Sequence, residues 1–223
     1  MRNILLILIF AVLLAASGCH HINGSSGLKG SGKRELQKRQ IGAFTAIHTE
    51  GAFNIEVVCQ KDLSLEVEGD DNILPLVSTE VSGGTLNLIS SKSYSVNSPI
   101  TIRITTPDLA ALHITGAGKI TITGIKNDKF EVDLDGAPSI NVAGNTKLLN
   151  IDAKGAGNVD AHNLQAARGV IDSKGVCKVD VAVADQLDVT VSGPSTVTYK
   201  GNPVVNKTVH GPGKVEKRAS EGA

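Results

Sequence analysis

A glycine returns along the second half of the chain at a nearly fixed interval. The steps between Gly116, Gly136, Gly155, Gly175, Gly193 and Gly211 are 20, 19, 20, 18 and 18. Most of these glycines open a short run of small residues, as in Gly116-Ala117-Gly118 and Gly155-Ala156-Gly157. Unrelated strands of a globular fold have no reason to keep such a phase, so the spacing marks one supersecondary unit repeated in space.

The flanks of each glycine define that unit. Four residues before stand Leu112, Val132, Ile151, Ile171 and Val189, and two before stand Ile114, Leu134, Ala153, Ser173 and Val191. Four after stand Ile120, Ile140, Val159, Val179, Val197 and Val215; six after stand Ile122, Val142, Ala161, Val181 and Tyr199. The residues between are mostly polar. Period-two alternation on both sides of a glycine predicts two short strands joined by a bend, and small residues suit a corner where backbones approach closely.

One such unit cannot bury its apolar face alone. Stacked in register, each inward side chain meets its equivalent about 4.8 Å away. The expected fold is all-β, a parallel β-solenoid with coils of about 18–20 residues and a narrow aliphatic core. Its interior fits β-branched ladders better than rings, in keeping with an aromatic content of only 3%. Lys207 and Lys217 fall at inward positions of the last coil, which predicts a polar or frayed C-terminal cap. The pattern reaches backward to Gly51, with Ile47 before it and Ile55 and Val57 after. The interval from Gly51 to Gly116 is a little over three of these steps, which suggests about three turns. Strands are expected at Leu63–Val67, Thr85–Ser90 and Ile100–Thr105, with a short helical turn after Asp70-Asp71-Asn72. This first half is either the same solenoid with longer corners or a β-rich cap.

The N-terminus is of another kind. After Met1-Arg2-Asn3, an apolar run from Ile4 to Ala16 is too short to span a bilayer and reads as a secretory signal. It ends in Ala15-Ala16-Ser17-Gly18-Cys19, which resembles the lipobox of bacterial lipoproteins, although leucine is commoner than Ala16 at its position. The resemblance implies cleavage before Cys19, a diacylglycerol on its sulfur and acylation of the new amine, an anchor to the membrane without a helix. The alternative is a plain signal peptide with an accidental cysteine. His20 rather than Asp, by similarity to Gram-negative sorting, implies the outer membrane. The segment up to about Gln40, rich in Gly, Ser, Lys and Arg, reads as a flexible tether. The expected organisation is a lipoprotein signal peptide over 1–18, a tether over 19–40 and a single β-helix domain over 41–218, irregular over 41–108 and regular over 109–218. Beyond Cys19, only Cys59 and Cys177 remain; both fall at inward positions, and two buried free thiols are expected.

Further segments point to a family. Phe44-Thr45-Ala46-Ile47, Gly51-Ala52-Phe53-Asn54-Ile55, Asp70-Asp71-Asn72-Ile73-Leu74-Pro75, Pro107-Asp108-Leu109, the Gly-Ala-Gly corners and above all Tyr199-Lys200-Gly201-Asn202-Pro203 resemble the bacterial head GIN domain, labelled an auto-transporter adhesin. The resemblance covers roughly residues 40 to 217. It implies a right-handed parallel β-helix on a secreted or lipid-anchored envelope protein, and brings no catalytic residues with it. Val176-Cys177 and Pro194-Ser195 depart from the usual corner.

The search for chemistry is brief. The 22 Lys and Arg balance 22 Asp and Glu, so no basic excess exists to hold nucleic acid. There is no Gly-x-Ser-x-Gly elbow, and no Cys–His pair at a recognisable spacing. Gly30-Ser31-Gly32-Lys33 has no preceding strand and so is no phosphate loop. His48, His113, His162 and His210 are expected in different register columns, with no zinc site, and no cofactor is implied. The best candidate is a column three residues before each lead glycine, where Asp133, Asp152 and Asp172 would stack as an acidic ladder beside Asp135, Lys154 and Lys174. Like charges so close repel, and Ca²⁺ would relieve them; alternatively Lys154 and Lys174 neutralise the column as a solvated, salt-bridged face, which is the expectation. A second column of Asn141, Asp160 and Asp180 carries the same reading. The expected function is a lipid-anchored, non-catalytic envelope protein with an adhesin-like or scaffold surface for an envelope protein or polysaccharide. The alternative is a carbohydrate-active enzyme or polysaccharide binder on a pectate-lyase-like β-helix.

Overall fold

The structure, a computed structural model, describes residues 27–219. In chain order the strands are β1 (Leu28–Lys29), β2 (Arg34–Lys38), β3 (Ala46–Cys59), β4 (Ser64–Asp70), β5 (Val77–Ser82), β6 (Thr85–Ser90), β7 (Tyr94–Ser95) and β8 (Ile100–Thr106). The long bent runs β9 (Ala111–Gly155), β10 (Asn158–Gly175) and β11 (Lys178–Ser192) follow, then β12 (Thr196–Lys200), β13 (Val204–His210) and β14 (Lys214–Lys217). Among the described residues a single 3₁₀ turn, Leu74–Leu76, interrupts the β structure where the sequence predicts a helical turn, but its N-cap is Ile73 and no side chain caps it.

The regular half is a solenoid-like stack of parallel strands. Val159 pairs with Ile140 on one side and Val179 on the other, and Ile171 pairs with Ile151 and Val189. The register therefore advances by one glycine interval per repeat, as the sequence spacing predicts. The inward columns are buried: Leu112, Val132, Ile151, Ile171 and Val189 before the glycine, and Ile120, Ile140, Val159, Val179 and Val197 after it. The last repeat is open. Lys207 pairs with Val189 and Lys217 with Tyr199, yet both lysines are exposed.

The bends explain the glycines. Gly51, Gly116, Gly136, Gly155, Gly175 and Gly193 all have φ between 98° and 141°, where side chains are rarely tolerated. Each stacks on the one before, so a Cβ on Gly116 would collide with the carbonyl oxygen of Gly51, and one on Gly193 would lie 2.9 Å from that of Gly175. Where Pro194-Ser195 departs from the usual corner, a side chain completes the pairing. Cys177 N–H donates to Ser195 Oγ at 3.0 Å, and that hydroxyl donates to the Gly175 carbonyl at 2.9 Å.

The first half differs from expectation in two ways. Gly51 and Gly116 are not three turns apart; they are direct register partners, and β3 lies immediately against β9 from Ala46↔Ala111 to Val58↔Thr123. On its other side β3 pairs in parallel with β6 and β8. The 46–59 segment thus sits between two segments that both follow it in sequence. The intervening chain turns antiparallel: β5 pairs with β6 through the Gly83-Gly84 turn, β4 with β8, and β2 with β4. The first half is both one more parallel layer, out of sequence order, and an antiparallel cap on it.

The second difference is at the expected tether over 19–40. Its described part is fastened. β1 pairs with β7, and β2 is an edge strand on β4. Gly32 N–H donates to the buried Asp70 carboxylate at 3.0 Å, and Arg39 donates to the carbonyl of Leu74 at 2.9 Å and to Thr79 Oγ1 at 3.2 Å. The folded body therefore begins before residue 41. The signal peptide over 1–18 and Cys19 lie outside the described residues.

Candidate functional site

The expected ladder forms on the strand that precedes each lead glycine. Asp172 pairs in register with Asp152 below and Thr190 above. Gly136 and Gly155 stack, which places Asp133 one repeat below Asp152. Each carboxylate has a nitrogen partner, a lysine ammonium at Asp152 and Asp172 and an imidazole at Asp133. Lys154 Nζ lies 3.0 Å from Asp152 Oδ2, Lys174 Nζ 2.7 Å from Asp172 Oδ2, and His113 Nδ1 3.9 Å from Asp133 Oδ2. Hydrogen bonds to Asp152 and Asp172 raise the pKa of Lys154 and Lys174 above the ordinary lysine value, with the carboxylate charges adding to the effect. The second oxygens of Asp152 and Asp172 are buried without a partner. These ladder side chains are otherwise about two-fifths exposed, so water screens the pairs.

The same column corrects one expectation about the histidines. The sequence places His48 and His113 in different columns, but they are register partners and continue the ladder below Asp133. His48 Nε2 lies 2.9 Å from Glu50 Oε1.

A second cluster gathers around a column that the sequence reads only as a solvated face. The strand after each glycine stacks Asn141, Asp160, Asp180, Thr198 and Glu216 in one outward column. His162, two residues beyond Asp160 and so on the same strand face, donates from Nδ1 to Asp160 Oδ1. Asp160, His162 and Asp180 bring one possible ligand atom each to within 4.8 Å of one another, the one such group of three among the described residues. From beyond the last strand Arg218 Nη2 reaches Asp180 Oδ2 at 2.8 Å. Asp180 is only 8% exposed, and burial raises its carboxyl pKa against the lowering effect of Arg218. His162, Asn163, Lys200, Lys217 and Arg218 line the cleft beside it. The signal is present in the sequence as Asp-x-His on one strand face with an Asp one repeat later; comparing the histidines only with one another misses it.

Elsewhere on the stack, Asp188 accepts hydrogen bonds from Asn206 at 2.8 Å, Arg168 at 2.8 Å and Gln186 at 2.9 Å. The Asn206 bond, followed by those of Arg168 and Gln186, lowers its pKa to about 2. Cys59 and Cys177 are free and buried; burial, with the nearby Asp108 charge, raises the Cys59 thiol to about 11.

Comparison with known proteins adds the following. The model of the family described as "Putative auto-transporter adhesin, head GIN domain" matches residues 43–203, well over half of the chain. No curated protein matches. A solved structure described as a "putative adhesin" from Bacteroides fragilis is 24% identical, with a TM-score of 0.72, covering 86% of this chain and 100% of its own. A "putative lipid binding protein" from Parabacteroides distasonis is 20% identical, with a TM-score of 0.53, covering 86% of this chain and 99% of its own. At these identities the likeness is one of fold.

Proposed function

Because the chain belongs to the head GIN domain family, we propose that it is a non-catalytic binding domain of the bacterial cell envelope, adhesin-like or scaffolding in role. The observation that carries this reading is the ladder face. Successive repeats present short polar side chains in columns, and Lys154 and Lys174 already neutralise the carboxylates beside them. Such a face offers a regular row of hydrogen-bonding groups at the strand spacing, about 4.8 Å, which suits an extended partner, an envelope polysaccharide or a protein segment.

In this reading the parallel stack closes as a right-handed parallel β-helix, in support of which stand the positive-φ bends at the lead glycines and a second series at Gly124, Gly144 and Gly201. Residues 1–18 act as the signal peptide and Cys19 carries the lipid. The residues after it, up to the first described strand, are the spacer, and the domain stands on the outer membrane.

The test has two arms. The domain is passed over immobilised envelope polysaccharides and envelope protein extracts, and the eluates are analysed for cleavage products. Retention without products supports the reading; turnover of a polysaccharide overturns it in favour of an enzyme. In cells, Cys19→Ser is expected to move the protein out of the membrane fraction and abolish acyl labelling. A variant still in the membrane after a carbonate wash would sink the anchor.

A further inference from the structure

Of the carboxylates on the outward columns, Asp180 is the most deeply buried; like Asp152 and Asp172, it keeps one oxygen without a partner. It is 8% exposed, its Oδ2 is held by Arg218, and its Oδ1 is buried with no hydrogen-bond partner. Parallel register places it directly beside Asp160, a second carboxylate, about 4.8 Å away by strand spacing. Two carboxylates so close repel. His162 reaches over the pair from the Asp160 side.

We propose that Asp160, His162 and Asp180 form a binding site for a divalent cation of the zinc class. The donor set is one imidazole nitrogen and two carboxylate oxygens. Imidazole suits zinc and its first-row neighbours, whereas calcium and magnesium take oxygen ligands. The three ligand atoms already lie within 4.8 Å of one another. In a tetrahedral zinc site with bonds of about 2.0 Å they stand roughly 3.3 Å apart, so the ligands draw in by side-chain rotation while the strands stay in place. The Nδ1 proton now donated to Asp160 moves to Nε2, leaving Nδ1 as the ligand. The cation takes up the orphaned oxygen of Asp180 and removes the repulsion between the two carboxylates. Its remaining position opens on the cleft lined by Asn163, Lys200 and Lys217. The ladder at Asp133, Asp152 and Asp172 brings no imidazole and pair of carboxylates together in this way; among the described residues the three-ligand group forms only at Asp160, His162 and Asp180.

The experiment uses the purified protein, stripped with chelator and titrated with zinc chloride alone. Bound zinc is counted after gel filtration and the melting temperature is followed. One zinc per chain and a rise in melting temperature with free zinc are expected. His162→Gln and Asp180→Asn should each weaken zinc by more than about 10-fold, the least that loss of even an outer-shell partner costs a metal site. Both variants should melt cooperatively in chelator, and Asp152→Asn should keep the full zinc response. No stoichiometric zinc, a response undiminished in either ligand variant, or one equally lost in Asp152→Asn would overturn the site.

Discussion

Gly155 sits on Gly136 so closely that a Cβ on Gly155 would fall on the Gly136 carbonyl oxygen and lie 3.0 Å from its amide nitrogen. Gly211, at the open end of the same column, has a similar φ of 96° but nothing nearer than 3.8 Å to its would-be Cβ. The two positions separate backbone strain from overlap. Gly211→Ala should cost the strain alone, about 1–3 kcal/mol. Gly155→Ala should cost that and more, because the register of two layers must shift. Urea melts of both variants measure the difference, and equal losses would mean that the glycine column does not set the layer spacing.

Val159→Asp introduces a charge between Ile140 and Val179, where all three side chains are fully buried. An unpaired charge there should cost several kcal/mol, comparable to a domain's whole stability. Asn158→Asp, one residue away, points outward between Ser139 and Lys178 and should be close to silent. Circular dichroism melts distinguish them. A destabilising Asn158→Asp with a tolerated Val159→Asp would place the register off by one.

The lysines on Asp152 and Asp172 predict how the ladder responds to calcium. With those charges balanced, millimolar Ca²⁺ should leave the melting temperature unchanged, and Asp152→Asn should change it little. A melting temperature that climbs with Ca²⁺ in the wild type and not in Asp152→Asn would instead make the ladder a cation site.

Acid titration should show two carboxylates acting with opposite sign. Asp188, lowered to about 2 by Asn206, Arg168 and Gln186, lies below the unfolded value of about 3.9. Its contribution is present above that value and is lost as pH falls toward 2. Asp180 is raised by burial. The folded state therefore holds its proton longer than the unfolded chain, and stability declines as pH rises from the unfolded value through the folded one. Asp180→Asn should then stabilise the metal-free protein at pH 7 and do nothing at pH 3, whereas Asp188→Asn should destabilise at pH 7 and converge on wild type near pH 2. Melting temperatures across that range decide both.

The regular repeats are legible in the sequence because backbone and side chains speak to one period: the glycines mark the bends and the apolar pairs around them mark the inward face. Between β3 and β9 the strands at β4, β6 and β8 and the short helical turn are legible too, but their pairing is not, because antiparallel returns leave no repeat, and the distance from Gly51 to Gly116 suits three turns as well as one long excursion. β2 reads as tether because Arg34-Glu35-Leu36-Gln37-Lys38 is polar on nearly every position, as an edge strand can be. Of the site, the ladder and its lysines are visible as offsets from one glycine. The Asp160, His162 and Asp180 cluster is hidden because its parts meet only through strand alternation plus one repeat step.

The out-of-order layer also bears on when the molecule becomes whole. Neighbouring repeats of the regular half close over a single glycine interval, whereas Gly51 must find Gly116 across more than three such intervals and Phe53 must find Ile100 across more than two. Closing the longest of these loops costs about 1 kcal/mol more in chain entropy than closing a regular repeat. Assembly should begin among the C-terminal repeats and spread toward the N-terminus. The cap, built around a strand that waits for partners synthesised after it, then becomes the last part to lock.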